Sequence, residues 1–175
     1  MIRRMKVVGL GDVPSGLLEA AASRPATIFG LEATLGVGLA EPSYAFNAAR
    51  GKFHAAAILR KLTRVREDGE LVLGVGTFDL FDPDEDALIA DGDRDERTAV
   101  LGTASLKTLD PARTLERVSH AAVVAVGKAL GLRECHDARC GMATISHPEN
   151  LDRRSGKLCQ SCEAAYMKGD RAWAR

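Results

Sequence analysis

All four cysteines of this 175-residue chain fall between residues 135 and 162. They come as two close pairs. Cys135 and Cys140 are separated by four residues, eighteen residues follow, and Cys159 and Cys162 form a CxxC. Four thiolates so arranged suit one tetrahedral zinc ion, because each pair supplies two ligands and the loop between lets the pairs meet. The spacing leaves two alternatives, a pair of disulfides and four unrelated thiols. The N-terminus, Met1-Ile2-Arg3-Arg4-Met5, leads into an apolar segment interrupted by Gly9, Gly11 and Asp12. That does not read as a signal-peptide core. Clustered thiols without such a core point to the cytoplasm and to metal over disulfides.

The segment before the cysteines reads Val124-Ala125-Val126-Gly127-Lys128-Ala129-Leu130-Gly131-Leu132-Arg133-Glu134-Cys135. It resembles the active-site segment of the archaemetzincins, small zinc metallopeptidase-like proteins with the motif HExxHxxGxxH followed at once by Cys. Gly131, Cys135, Cys140, Met142, Cys159 and Cys162 match that pattern. Two further stretches are similar to family segments. They are Phe46–Phe53 with the Ala57–Leu62 run after it, and Asp79-Leu80-Phe81. The resemblance implies a metzincin-like α/β (α+β) fold, with a small twisted mixed sheet, packed helices and a zinc-stabilised C-terminal part. It places Met142 in the Met-turn. It also implies a metallopeptidase, hence a hydrolase, family.

The catalytic positions of that motif are degenerate. Val124 stands at the first ligand position, Ala125 at the general base, Lys128 at the second ligand and Glu134 at the third. A zinc peptidase needs neutral imidazoles to hold the metal and a carboxylate to take the proton of bound water. Valine and alanine do neither, and a protonated lysine repels a cation. The expectation is one structural zinc at Cys135, Cys140, Cys159 and Cys162 and no catalytic ion. Lys128 and Glu134 are expected to pair in the vacated space, the alternative being that both are solvated.

Length and composition set wider bounds. One domain spans 1–175, with a sheet-and-helix part at 1–131 and a zinc-bearing part at 132–175. A chain of this length buries ~70% of its unfolded surface. Hydrophobic residues make up 46%, and the 24 basic residues balance 24 acidic ones, which gives no support for a nucleic-acid partner. No apolar run approaches the ~18 residues that span a bilayer. The expected state is a monomer. The acidic run over residues 82–96 reads as a solvated loop.

Along the chain, Lys6–Leu10 reads as a strand and Pro14–Ser23 as a helix stopped by Pro25. Thr27–Val37 alternates like a strand, with Phe29, Leu31, Ala33, Leu35 and Val37 facing the core. Ala55, Ile58, Leu59, Leu62 and Val65 recur at helical spacing, with His54 as a cap or surface group. Leu71–Phe81 reads as one interior strand. Ala99–Leu106 reads as another, and the resemblance makes it the antiparallel edge lining a substrate cleft. Such an edge pairs with extended peptide through main-chain bonds. Asp110-Pro111 opens a helix that Gly131 closes, with His120 a surface or packed residue. Residues 163–168 suit a short helix, and Trp173 is a candidate to pack back on the body. Three functions stay open: an inactive metzincin relative binding peptide or protein in the old cleft, a working hydrolase with unrecognised residues, and a purely structural zinc protein.

Overall fold

The computed structural model describes residues 2–172. The first strand, β1 (Arg4–Leu10), leads through α1 (Ser15–Phe29) to β2 (Glu32–Leu35). Two short strands, β3 (Phe46–Asn47) and β4 (Lys52–His54), precede α2 (Ala55–Leu62). There follow β5 (Glu70–Gly76), β6 (Leu80–Asp82), β7 (Glu85–Leu88), β8 (Ala90–Asp93) and β9 (Thr98–Gly102). The long helix α3 (Pro111–Ala129) and the C-terminal α4 (Gln160–Ala172) complete the fold.

The main sheet has the order β2-β1-β5-β9-β8. Only β8 runs antiparallel to its neighbour. A second, smaller sheet has the order β3-β4-β6-β7. Alternation along the strands divides the core. Met5, Val7, Leu71, Leu73, Val75, Ala99 and Leu101 pack with α1 and α3. Val8, Leu10, Val72 and Val100 pack with α2 on the other face. With both faces covered, all seven residues of β5 are buried, as an interior parallel strand requires. Met142, Ile145 and Leu151, from the cysteine-bearing part, belong to the α1–α3 cluster.

Several expectations need correction. Pro25 does not stop α1; the helix runs on to Phe29 and ends at Gly30, which takes φ +63°. A proline inside a helix removes one hydrogen bond and crowds the preceding turn. Here packing outweighs that cost. Pro25 and Phe29 are buried, and Arg24 donates to Ser119 Oγ and Glu116 Oε2, both at 2.8 Å, tying α1 to α3. The strand after it is correspondingly short, and as an outer strand it exposes all four residues of β2. Leu35 and Val37 are therefore not core residues.

The run Leu71–Phe81 is two strands in two sheets. Gly76 ends β5 because Phe78 folds back over it; a Cβ there would sit 2.2 Å from the Phe78 ring. The acidic run is not a loop, since it carries β7 and β8. Its acidic side chains sit at sheet margins, where charge is tolerated. As a result, the strand within 99–106 is not the edge. β9 lies between β5 and β8, residues 104–106 turn into a short 3-10 helix, and β8 forms the antiparallel edge.

The C-terminal helix is longer than expected and begins inside the CxxC. Tyr166 docks it by donating to the Phe29 carbonyl at 2.8 Å. Trp173 lies outside the described residues. His54 stacks on Phe81. Among the described residues no helix is long and apolar enough to cross a membrane.

His120 is packed in the interior, 7% exposed, and among the described residues its Nδ1 has no hydrogen-bond partner. Arg24 from α1, Glu116 from α3, and Asp152 and Arg154 from the segment after the cysteine loop face it. Burial, and then the Arg24 charge, pull its pKa down to about 4. The unfolded chain therefore binds this proton first as pH falls. The His120 contribution is fully present above pH ~6.5, is lost through the interval down to about 4, and is then flat, for a total of ~3 kcal/mol at most. Melting of the wild type and His120→Leu across pH 7 to 4 checks this. The wild type should lose more stability over that window than the variant, since acid effects on the thiolates are common to both.

Candidate metal centre and the adjoining cleft

The four cysteine Sγ atoms lie within 4.8 Å of one another. Cys135 and Cys159 approach to 3.8 Å, far beyond the ~2.05 Å of a disulfide. A tetrahedral ion with four sulfurs at ~2.3 Å sets them ~3.8 Å apart, so the cluster has the dimensions of a zinc site. The chain reaches it from three directions. Gly131, at φ +89°, turns the chain out of α3 toward Cys135. The loop after it brings Cys140, which is 1% exposed. The start of α4 carries Cys159 and Cys162.

Main-chain donors already point at the sulfurs. The N–H groups of Met142 and Cys159 donate to Cys140 Sγ at 3.4 and 3.3 Å, and that of Asp137 donates to Cys135 Sγ at 3.5 Å. Such donors favour the thiolate. The backbone N–H of Cys162 and the neighbouring thiols bring Cys159 down to about 7, while burial pushes Cys140 and Cys162 up. Geometry, donor chemistry and this hydrogen bonding all fit zinc. His136 and His147 are exposed and stand outside the cluster.

The positions that the family motif makes catalytic lie on α3 and just beyond its Gly131 turn. Val124 and Ala125 are buried on α3 and offer no ligand atom. Lys128 Nζ lies 3.0 Å from Glu134 Oε1, so the two side chains pair. A third group joins them, Asp91 of β8, whose Oδ1 is 3.4 Å from the same ammonium. Burial works against both charges. The two carboxylates nevertheless hold Lys128 above its ordinary pKa, and Lys128, with help from Thr144, holds Glu134 below its own. Asp91 was hidden within a stretch that charge density alone marks as loop, and it is 37 residues from its partner.

Two glycines bring the walls together. At Gly92 a Cβ would lie 2.4 Å from the Ala125 carbonyl oxygen, so β8 rests on the α3 backbone itself. At Gly127 a Cβ would lie 2.2 Å from Met142 Sδ, so the methionine, fully buried, occupies the space a side chain would fill. Beside Glu134 a cavity of about 430 Å³ opens, lined also by Arg94, Leu130, Gly131, Cys162 and Ala165.

A mixed sheet with an antiparallel edge over a long helix, a glycine turn and a buried methionine beyond it is the arrangement that the metzincin resemblance implies. Residues 31–168 match the profile of Peptidase family M54. The archaemetzincin of Methanopyrus kandleri is 31% identical over 121 residues, 69% of each chain. The crystal structure of the Methanopyrus kandleri archaemetzincin superposes with a TM-score of 0.86, at 26% identity, over 97% of this chain and 96% of that one. A zinc-dependent peptidase from Methanocorpusculum labreanum shares the fold at a TM-score of 0.83 and 19% identity, over 93% of this chain and 99% of that one. The chain belongs to peptidase family M54, the archaemetzincins. It is a zinc-peptidase-like protein with a four-cysteine cluster fit for zinc.

Because the ligands come from separate segments, zinc at this cluster ties the α3 exit to α4 and contributes to folding. Cys159→Ser should lower both zinc content and the melting temperature. Metal analysis and a thermal melt of the variant check this, and unchanged values for both would remove the cysteines as a zinc site.

Proposed function

We propose that this chain is a non-catalytic archaemetzincin that keeps one structural zinc and uses the cleft above α3 to hold an extended peptide segment. The observation that carries the reading is the ammonium of Lys128, fixed between Asp91 and Glu134. Two of the three family ligand positions are thereby engaged in an ion pair, and the third is the aliphatic Val124. Ala125, at the position of the general base, takes no proton. Loss of a general base alone costs ~100–10,000-fold in rate.

Peptide binding rests on β8. The Ile89 carbonyl accepts from the Gly102 N–H at 2.9 Å, so Ile89 and Asp91 direct their main-chain groups toward β9. By alternation, the groups of Ala90 and Gly92 point to the outer side. Ala90 is buried and Gly92 is half-buried, which centres pairing on Gly92. An extended segment added there needs no catalytic residue.

Zinc per chain and peptidase assays test the proposal. One equivalent of zinc and no chelator-sensitive cleavage of unstructured peptides are expected. Two equivalents in the wild type, or cleavage that zinc chelation abolishes, would overturn it. The combined variant Val124→His, Ala125→Glu, Lys128→His and Glu134→His should gain a second equivalent if the motif alignment is right. For the cleft, hydrogen exchange at the Gly92 amide should slow when extended peptides are added.

A further inference from the structure

The cysteine loop has a companion residue that no motif marks. Arg154 is a buried arginine, 8% exposed. Its guanidinium donates to four main-chain carbonyls of one short segment. Nη1 reaches Cys140 O at 3.1 Å and Gly141 O at 3.0 Å, and Nη2 reaches Ala143 O at 2.6 Å and Thr144 O at 3.3 Å. That segment supplies the most buried of the four thiols and, between the bonded residues, Met142. Arg154 thus gathers the segment around its own side chain.

The arginine is itself held in place. Its N–H donates to the Leu151 carbonyl, closing the turn over Pro148–Arg153. Arg117 of α3 grips that turn through Asp152, with Nε and Nη2 at 2.8 and 2.7 Å from the two carboxylate oxygens. A paired, forked contact of this kind fixes orientation as well as distance. The chain of contacts runs from α3 through Asp152 and Arg154 to the Cys140 carbonyl.

Charge gives the arrangement a second purpose. Four thiolates around one Zn²⁺ carry a net charge of about −2 by formal count, and Cys140 is out of water. A buried guanidinium facing that segment offsets part of it. The charges of Cys140, Cys135 and Glu134 act on Arg154 against its burial. Lysine at this place would keep the charge, but one ammonium cannot serve four carbonyls set by a planar fork.

We propose that Arg154 is the clasp and counter-cation of the thiolate cluster, a positioning residue that sets zinc affinity without touching the ion. The proposal rests on the reading of the four cysteines as a zinc site. The test compares the wild type, Arg154→Lys and Arg154→Met. Zinc affinity is measured by competition with a chromophoric chelator, and melting temperature is measured with and without zinc. Outer residues of this kind change metal affinity by roughly 10–100-fold. Arg154→Met is expected at the upper end and Arg154→Lys at the lower, and the melting gap between zinc-loaded and zinc-free protein should shrink in both. A merely structural arginine would lower both melting temperatures equally and leave affinity within about twofold; that result overturns the proposal. Should Arg154→Met fail to fold, Arg154→Lys decides by the same criteria. Cobalt substitution of the wild type separates the two levels. Without four-thiolate absorption the zinc reading fails, whereas with it a normal affinity in the variants sinks only the role of Arg154.

Discussion

The constraint on which the rest depends is the enclosure of α3. From Arg117 to Gly127 every residue of this helix is buried, because it is covered by the sheet on one side, by α1 on another and by the cysteine-bearing segment on a third. A helix so enclosed has no solvent face, and its closest backbone approaches are made at glycines. Gly127 receives Met142, and Gly92 meets the backbone of the helix. Once these distances are set, β8 and the Gly131 turn have one relative position, and Asp91 and Glu134 are both brought within reach of the Lys128 ammonium.

How much was legible beforehand follows from how far apart the interacting residues stand in sequence. The cysteine cluster was legible because each pair is local and four thiols of matched spacing have few other uses. The start of α3 was legible because Asp110 and Pro111 act within one turn; the Asp110 carboxylate accepts from the Ala112 N–H at 3.0 Å. The pairing of Lys128 with Glu134 was legible from the family pattern, as opposite charges at two positions that converge. By contrast, continuation of α1 through Pro25 depends on α3, far along the chain. The edge role of β8 depends on strand order, which periodicity does not encode. The acidic composition of β8 argued against a strand at all.

Arg154 shows the same limit from the other side. In sequence it is one basic residue beside Arg153 in a polar stretch. Its role appears only when four carbonyls of residues 140–144 are seen to converge on it. Burial is the distinguishing property, since Arg153 is exposed and Arg154 is not, and no pattern of adjacent letters states which of two arginines goes inside.

The cation between Asp91 and Glu134 is joined to the main chain by its own side chain. A tethered cation has no dissociation constant and cannot be stripped by a chelator. It competes with no other ion for its site, and its occupancy does not follow the supply of any element. Only deprotonation removes its charge, and both carboxylates push that to higher pH. The positive charge at this place is consequently set by the sequence, as part of a side chain.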